Sequence, residues 1–193
     1  MNEAVYITPP AVLELIEADT KKIGFNMGSE RLTGTLLRAL ASSKPAAHIL
    51  ELGTGTGISA SWLLDGMDQY SRLTTVDNDA SSVEIARRHL GSDHRITFHV
   101  GDGAEFLVQT QGRQFEMIFA DTWPGKFTHL DLALSLLKTG GLYVADDLLP
   151  QPSWPDGHAA KVPLFLESLA HDGSVVICQM EWSTGLVVAV KTA

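Results

Sequence analysis

The sequence predicts a doubly wound α/β domain, in which a mostly parallel seven-stranded sheet carries helices on both faces. Short apolar runs alternate with helix-length amphipathic segments, as in successive βαβ units. A glycine-rich stretch, Gly53–Gly57, directly follows the first apolar run of this alternation and precedes a helical pattern. The last two runs are joined by only Glu181–Thr184, which is too short for a crossover helix, so we expect them to pair as an antiparallel hairpin.

Two helices are predicted before the sheet. Prolines stand at the start of the segment Pro10–Lys22, and leucines recur at helical spacing in Arg31–Ala41. The length of 193 residues fits one domain. We therefore expect a single domain over residues 1–193, with N-terminal helices in 1–44 and the sheet in 45–193.

The rest of the chain alternates between predicted strands and predicted helices. Gly140–Gly141 is predicted to end the helix before the fifth strand, because glycine is common at helix C-termini. The predicted strands are His48–Leu52, Leu73–Val76, Ile96–Val100, Phe115–Ala120, Leu142–Ala145, Ser174–Met180 and Gly185–Lys191. The predicted helices among them are Ile58–Leu64, Ser81–Leu90, Ala104–Gln109, Phe127–Leu137 and His158–His171.

The composition restricts the class of partner. The net charge is −9, and no run of Lys or Arg supplies the basic face that phosphate neutralisation requires, so we expect no nucleic acid or membrane partner. The N-terminal sequence MNEAVYITPP lacks the charge and apolar run of a secretory signal, and no apolar run reaches transmembrane length. These features predict a cytoplasmic protein.

The single cysteine, Cys178, lies in the apolar run Ser174–Met180. It has no partner for an intrachain disulfide. Its apolar setting predicts a thiol buried in the core.

The glycine-rich loop predicts a cofactor site. Glycine is used where the backbone takes unusual dihedral angles or approaches a ligand closely, and cofactors bind at the carboxyl end of the first strand in doubly wound sheets. A dinucleotide fingerprint would place its third small residue at position 58, which is Ile58. Glu51 beside the loop disfavours a phosphate and suits a cationic ligand. The pattern favours a sulfonium cofactor with an amino-acid tail over NAD, which stays open as an alternative.

Acidic residues follow the next two predicted strands. Asp77 ends the second strand, 24 positions after Gly53, where an acid typically accepts hydrogen bonds from ribose hydroxyls. Asp102, followed by Gly103 and Ala104, comes after the third strand and is placed to hold an adenine edge. Either acid alone could be a helix N-cap. Together with the glycine loop they predict a site for S-adenosylmethionine (SAM).

Five motifs carry a resemblance to a known family: ELGTGTG (51–57), VDND (76–79), GDGAEFL (101–107), FADTW (119–123) and YVADD (143–147). Through them, residues 24–150 resemble the class I SAM-dependent methyltransferases, and most closely the small-molecule O-methyltransferases of the catechol and caffeoyl-CoA type. The resemblance implies a Rossmann-like sheet of order 3-2-1-4-5-7-6 with the last strand antiparallel. It also implies that MGSERLTG (27–34) contacts the methionine part of SAM. The predicted cofactor-binding residues are Met27, Ser29, Glu51, Gly53, Thr54, Gly55, Asp77, Asn78, Asp102, Gly103, Ala104 and Asp121.

The resemblance also implies a divalent cation at Asp121, Asp146 and Asp147, which match the family's ligands after strands four and five. Both segments end adjacent strands, so their carboxylates should converge. Buried like charges are costly unless a cation or a proton compensates them. Hard oxygen ligands would select Mg²⁺, Ca²⁺ or Mn²⁺. The alternative is that these acids cap helices or contact SAM and bind no metal.

Two positions depart from the family pattern. The family's asparagine is Asp147 here, and the position of its catalytic lysine is Pro124. Lys126 is the nearest lysine and is the predicted general base, with Asp121 as the second predicted catalytic residue. The alternatives are that Lys126 is a solvated lysine at a helix start and that His158 acts as the base.

The implied reaction is transfer of a methyl group from SAM to the hydroxyl of a small molecule. Trp123, Trp154 and the proline-rich loop Pro150–His158 are predicted to form the acceptor pocket, because long loops at this edge of a sheet often carry specificity. Other interpretations stay open: a metal-free N- or carboxyl-methyltransferase, an NAD(P)-dependent oxidoreductase and a non-catalytic SAM-binding protein. A homodimer stays open as well.

Overall fold

The computed structural model describes residues 7–193, so most of the N-terminal segment considered above as a signal lies outside the described residues. Its strands are β1 (His48–Leu52), β2 (Arg72–Asp77), β3 (Ile96–Val100), β4 (Phe115–Ala120), β5 (Leu137–Ala145), β6 (Val175–Met180) and β7 (Leu186–Lys191). They form one sheet of order β3-β2-β1-β4-β5-β7-β6. Strands β1 to β5 pair in parallel, and β7 runs antiparallel to both β5 and β6. The predicted fold class, strand order and closing hairpin are confirmed.

Helices cover both faces of the sheet. They are α1 (Leu13–Lys22), α2 (Arg31–Ser42), α3 (Ile58–Gly66), α4 (Ala80–Leu90), α5 (Gly103–Gln109), α6 (Leu130–Ser135) and α7 (His158–His171). Helices α1 to α4 pack in one apolar core with Ile49 and Met117, and α5 to α7 pack in a second with Leu50 and Ile118. Successive strand residues therefore point to opposite cores, which explains why the central strands are apolar throughout. Among residues 7–193, no helix has both the length and the apolarity needed to cross a membrane.

The predicted helix over Phe127–Leu137 is wrong at both ends. The chain forms a turn from Trp123 to Thr128, so α6 begins only at Leu130. Leu137 already belongs to β5, where it pairs with Phe115.

Gly140–Gly141 does not end a helix, which corrects a second expectation. The pairing of β4 with β5 shifts after Phe115 and resumes at Met117 with Leu142, so the two glycines lie in the irregular part of β5. Gly140 has a left-handed φ of +78°, which glycine adopts without steric cost. The apolar Leu136 and Leu137 look helical by spacing, but they are buried where β5 begins.

Cys178 is exposed, and its predicted place in the core is wrong. It lies on β6, the strand at one edge of the sheet. Alternate residues of a strand share a face, and Val176 on the same face is also exposed. An apolar run at the edge of a sheet therefore did not imply burial.

Replacing Gly66 with Ala tests the close packing of α3 on α2. A Cβ at Gly66 would overlap the carbonyl oxygen of Arg38, a backbone atom that cannot move without shifting α2. We expect Gly66→Ala to lower the free energy of unfolding by about 1–3 kcal/mol, as overpacking typically does. Urea unfolding measures this, with Gly173→Ala as the matched control because a Cβ there meets no atom within 4 Å. Equal stability of the two variants would contradict the packing described.

Candidate functional site

A cavity of about 450 Å³ opens at the carboxyl edge of the sheet, where the strand order reverses between β1 and β4. Crevices at such switch points are where doubly wound folds bind ligands. The predicted cofactor-binding residues that line it are Met27, Ser29, Gly53, Thr54, Gly55, Asp77, Asn78 and Asp121. Pro155 of the predicted acceptor loop also lines the cavity, as does Phe25, which no sequence pattern indicated.

The glycine loop requires glycine for both conformation and space. Gly53 has a φ of +109°, and a Cβ there would lie 2.9 Å from Thr122 Cγ2. Gly55 has a φ of +48°, and its N–H donates to Asp77 Oδ2 at 2.8 Å. Side chains at either position would strain the backbone, and at Gly53 one would also crowd the chain after β4. The loop is thus held close to the ends of β2 and β4.

Asp77 connects the glycine loop to the end of β2. Besides the bond from Gly55, its Oδ1 accepts a hydrogen bond from the backbone N–H of Asp79 at 2.9 Å. Each carboxylate oxygen can accept a further bond, and Asp77 lines the cavity. The site therefore offers hydrogen-bond acceptors to a ligand that carries hydroxyl groups.

Glu51 lies beneath the loop and is fully buried, away from the cavity wall. Thr75 donates to its Oε2 at 2.5 Å, and Thr75 also pairs with Thr54 of the loop. Burial raises the pKa of Glu51 to about 7, although hydrogen bonds from Thr75 and Ser59 oppose the shift. Glu51 thus supports the loop from below, and Thr75 is a supporting residue that the sequence analysis missed.

Asp102, Gly103 and Ala104 also lie outside the residues that line the cavity. Asp102 Oδ1 accepts hydrogen bonds from the N–H groups of Ala104 and Glu105, at 2.8 and 3.0 Å, and so caps α5. These contacts are the ones expected if Asp102 is a helix N-cap, which was the alternative to cofactor binding. A role for the three residues in cofactor binding stays a prediction.

The three predicted metal ligands converge at the ends of β4 and β5. One carboxylate oxygen from each of Asp121, Asp146 and Asp147 lies within 4.8 Å of the others. Asp146 is buried, and its Oδ1 has no hydrogen-bond partner among the described residues. Asp147 has a left-handed φ of +57°. We call these three residues the acid cluster.

Burial of the acid cluster shifts two of its pKa values. The pKa of Asp121 is raised to about 6, chiefly by burial, against the opposing charge of Lys126. The pKa of Asp146 is raised well above its usual range by burial and by the negative charge of Asp121. The cluster therefore favours a compensating proton or cation.

Lys126 is buried beside the acid cluster, with 2% of its surface exposed. Its Nζ donates to the carbonyl oxygen of Asp146 at 3.2 Å. The alternative of a solvated lysine at a helix start is wrong, because the turn after β4 carries the side chain into the cavity. The structure thus brings the predicted base and the predicted metal ligands together.

The predicted acceptor side has a well-packed wall. Trp154 stacks on His158, with ring centroids 4.4 Å apart and planes at 22°, and Trp123, Trp154 and His158 all line the cavity. His158 Nε2 lies 3.0 Å from the carbonyl oxygen of Asp147, so this nitrogen carries the proton that is donated. Burial lowers the pKa of His158, which favours its neutral form. His158 holds Asp147 and Trp154 in place.

The buried carboxyl of Glu51 should make stability depend on pH. Its raised pKa means that the folded state binds a proton more tightly than the unfolded state between pH 4.5 and about 7. Stability is therefore lost as pH rises through this range, by on the order of 2–3 kcal/mol. We expect Glu51→Gln to lose less stability than the parent protein between pH 5 and pH 8 in urea unfolding.

The matched control is Glu84→Gln, which changes an exposed glutamate on α4. It should follow the pH profile of the parent protein. If Glu51→Gln follows that profile as well, Glu51 is not protonated in the fold as described.

Comparison with known proteins identifies the family. The family model described as O-methyltransferase matches residues 1–192. A Mycolicibacterium vanbaalenii protein that carries an O-methyltransferase name is 31% identical over 116 residues, which are 58% of this chain and 51% of that protein. The catechol O-methyltransferase of Niastella koreensis is 30% identical over 123 residues, 60% of this chain and 56% of the relative. The chain thus matches about half the length of these curated relatives.

Solved structures agree with the family match. The O-methyltransferase TomG from Streptomyces achromogenes, solved in complex with SAM, superposes with a TM-score of 0.83 at 25% identity and covers 99% of this chain and 94% of TomG. An O-methyltransferase from Bacillus cereus, solved in complex with S-adenosylhomocysteine (SAH), superposes with a TM-score of 0.83 at 22% identity. The match covers 97% of this chain and 94% of the Bacillus cereus chain, and it shows that the two share a fold. The predicted resemblance is confirmed: the chain belongs to the O-methyltransferase family.

Proposed function

We propose that this protein transfers a methyl group from SAM to the hydroxyl of a small molecule. The observation that carries the proposal is the position of Lys126, which is buried beside the acid cluster in the same cavity as the glycine loop. A cofactor site and a proton acceptor thus share one cavity. The cytoplasmic location, the single-domain organisation and the homodimer stay predictions from the sequence.

The residues around the glycine loop suit SAM better than a nicotinamide dinucleotide. Asp77, Asp79 and Asp121 line the cavity, and this negative charge would repel a pyrophosphate and attract a sulfonium. In our assignment, Asp77 binds ribose hydroxyls, Gly53 and Gly55 allow close backbone approach, and Met27 and Ser29 contact the methionine end. SAM supplies the activated methyl group when bound.

Lys126 is proposed to remove the proton from the acceptor. Nζ takes the proton of the hydroxyl, and the oxygen becomes the nucleophile. The ammonium that results is stabilised by the carboxylate of Asp121; burial raises the pKa of Asp121, and the charge of Lys126 opposes that rise. Lys126 and Asp121 thus act as one proton-accepting pair.

The acid cluster is proposed to hold Mg²⁺ or another divalent cation. Three converging carboxylates and an unpartnered buried oxygen, Asp146 Oδ1, fit a hard cation that prefers oxygen ligands. A bound cation would supply Lewis acidity that lowers the pKa of the acceptor hydroxyl. The raised pKa of Asp146 also supports a metal-free alternative, because a proton would compensate the cluster as well.

The acceptor is proposed to be a flat molecule that lies against Trp123 and Trp154. Both indole rings line the cavity on the side of Lys126, and the contact with His158 fixes the plane of Trp154. Aromatic rings offset-stack on such surfaces. An aromatic hydroxyl compound therefore suits this wall.

Replacing Lys126 with Met tests the proposed base. Loss of a general base typically lowers turnover by 10²–10⁴-fold. We expect the loss of kcat for Lys126→Met to fall in this range, measured as methyl transfer from SAM to a panel of catechols, with the Kd for S-adenosylhomocysteine nearly unchanged. The matched control is Lys138→Met. Lys138 lies at the start of β5, and the substitution removes its ion pair with Glu116 of β4. Unchanged turnover in Lys126→Met would exclude it as the base.

Binding of Mg²⁺ tests the acid cluster without an activity assay. A ligand that binds only the folded state raises its stability, by about 2.7 kcal/mol at 100 times Kd. We expect Mg²⁺ to raise the Tm of the protein and to give binding heat in calorimetry, and expect Asp146→Asn to lose both effects. The exposed Asp131→Asn is the control. Absence of Mg²⁺ binding, together with turnover that EDTA does not change, would favour the metal-free alternative.

A further inference from the structure

We propose that Tyr143 is a positioning residue that directs Lys126 into the site. Its hydroxyl fixes the turn after β4 from which the Lys126 side chain projects. The inference rests on the proposed role of Lys126 as the base. It concerns how this chain places a lysine that lies two positions beyond Pro124.

Tyr143 is fully buried on β5, next to Ile118 of β4. Its hydroxyl donates to the carbonyl oxygen of Gly125 at 2.7 Å. On the α7 side, its ring packs against Phe165 with centroids 6.4 Å apart. A buried hydroxyl needs a partner, and a packed ring has little freedom to move. Tyr143 is therefore a fixed donor at a defined point beneath the turn.

The peptide unit between Gly125 and Lys126 is held at both ends. Its carbonyl oxygen accepts from Tyr143, and its N–H donates to the carbonyl oxygen of Trp123 at 3.1 Å. The turn is closed further by a bond from the N–H of Gly125 to Thr128 O, at 2.7 Å. Two opposed bonds fix the plane of a peptide, and with it the direction of the next Cα–Cβ bond.

Glycine at position 125 is required for this turn. Its φ is +86°, and a Cβ there would overlap Leu52 Cδ1 at the end of β1. The turn therefore lies directly on the sheet, where the hydroxyl of Tyr143 reaches it. From this position the Lys126 side chain extends to the carbonyl oxygen of Asp146, three residues after Tyr143 on the chain. The segment 143–146 therefore contacts the carbonyl oxygen of Gly125, which precedes Lys126, through the Tyr143 hydroxyl, and contacts Lys126 Nζ through the carbonyl oxygen of Asp146.

A purely structural bond would affect stability alone, whereas a positioning bond also affects the reaction through Lys126. We expect Tyr143→Phe, which keeps the ring, to lower kcat about tenfold or more, since small misplacements of catalytic groups cost up to about 10²-fold. The KM for SAM and the Kd for S-adenosylhomocysteine should stay unchanged. In the Lys126→Met background, the same substitution should lower kcat no further.

The matched control is Thr110→Val, at the far end of α5. It also deletes a buried hydroxyl that donates to a carbonyl oxygen, that of Phe106, at 2.5 Å. This variant should lose stability and keep the kcat of the parent protein. A similar loss of kcat in Thr110→Val would show that reduced stability explains the effect of Tyr143→Phe.

Crystal structures of the parent protein and of Tyr143→Phe test the inference without turnover. We expect the turn to shift and Lys126 Nζ to leave the carbonyl oxygen of Asp146. An unmoved Lys126 would overturn the inference, as would equal effects of Tyr143→Phe on kcat with and without Lys126. If the parent protein transfers no methyl group to any acceptor tested, the proposed function fails, while the shift of Lys126 still decides the role of Tyr143.

Discussion

Buried negative charge at the carboxyl edge of the sheet is the constraint on which the candidate site depends. Parallel strands β4 and β5 end side by side, so the carboxylates that follow them are forced together, with Asp146 buried and Asp121 half-buried at the cavity wall. Such a group of charges is stable only with compensation. Lys126, in the turn after β4, supplies part of the compensating positive charge, and the unpartnered oxygen of Asp146 can bind a further proton or cation.

The two sides of the cavity offer different groups to a ligand. On one side, the glycine loop and Asp77 offer close backbone approach and hydrogen-bond acceptors, with Glu51 buried below them. On the other side, His158 ties the backbone of Asp147 to the ring of Trp154. Asp121, Asp147 and Lys126 line the same cavity, so in the proposed reaction a donor and an acceptor would meet near Lys126.

Much of the fold follows from local sequence, and the site follows from it only in part. The bounds of β1, β3 and β4 were predicted because each is an apolar run in a sharply alternating pattern, and strand ends then placed the acids together. The helix at 127–137 was wrong because leucine spacing does not distinguish a helix from the buried start of β5. The burial of Lys126 and the bond from Tyr143 depend on contacts between segments distant in sequence, which no local pattern encodes.

Calorimetry with SAM, S-adenosylhomocysteine and NAD⁺ tests the central claim most directly, because it asks which cofactor the glycine loop binds. The account predicts one site per chain for SAM and S-adenosylhomocysteine. Asp77→Ala should weaken the affinity for both at least tenfold, because it removes the hydrogen bonds of Asp77 to the ligand and to the loop. A tenfold loss corresponds to about 1.4 kcal/mol. It predicts no binding of NAD⁺. Binding of NAD⁺ without heat from SAM or S-adenosylhomocysteine would contradict it.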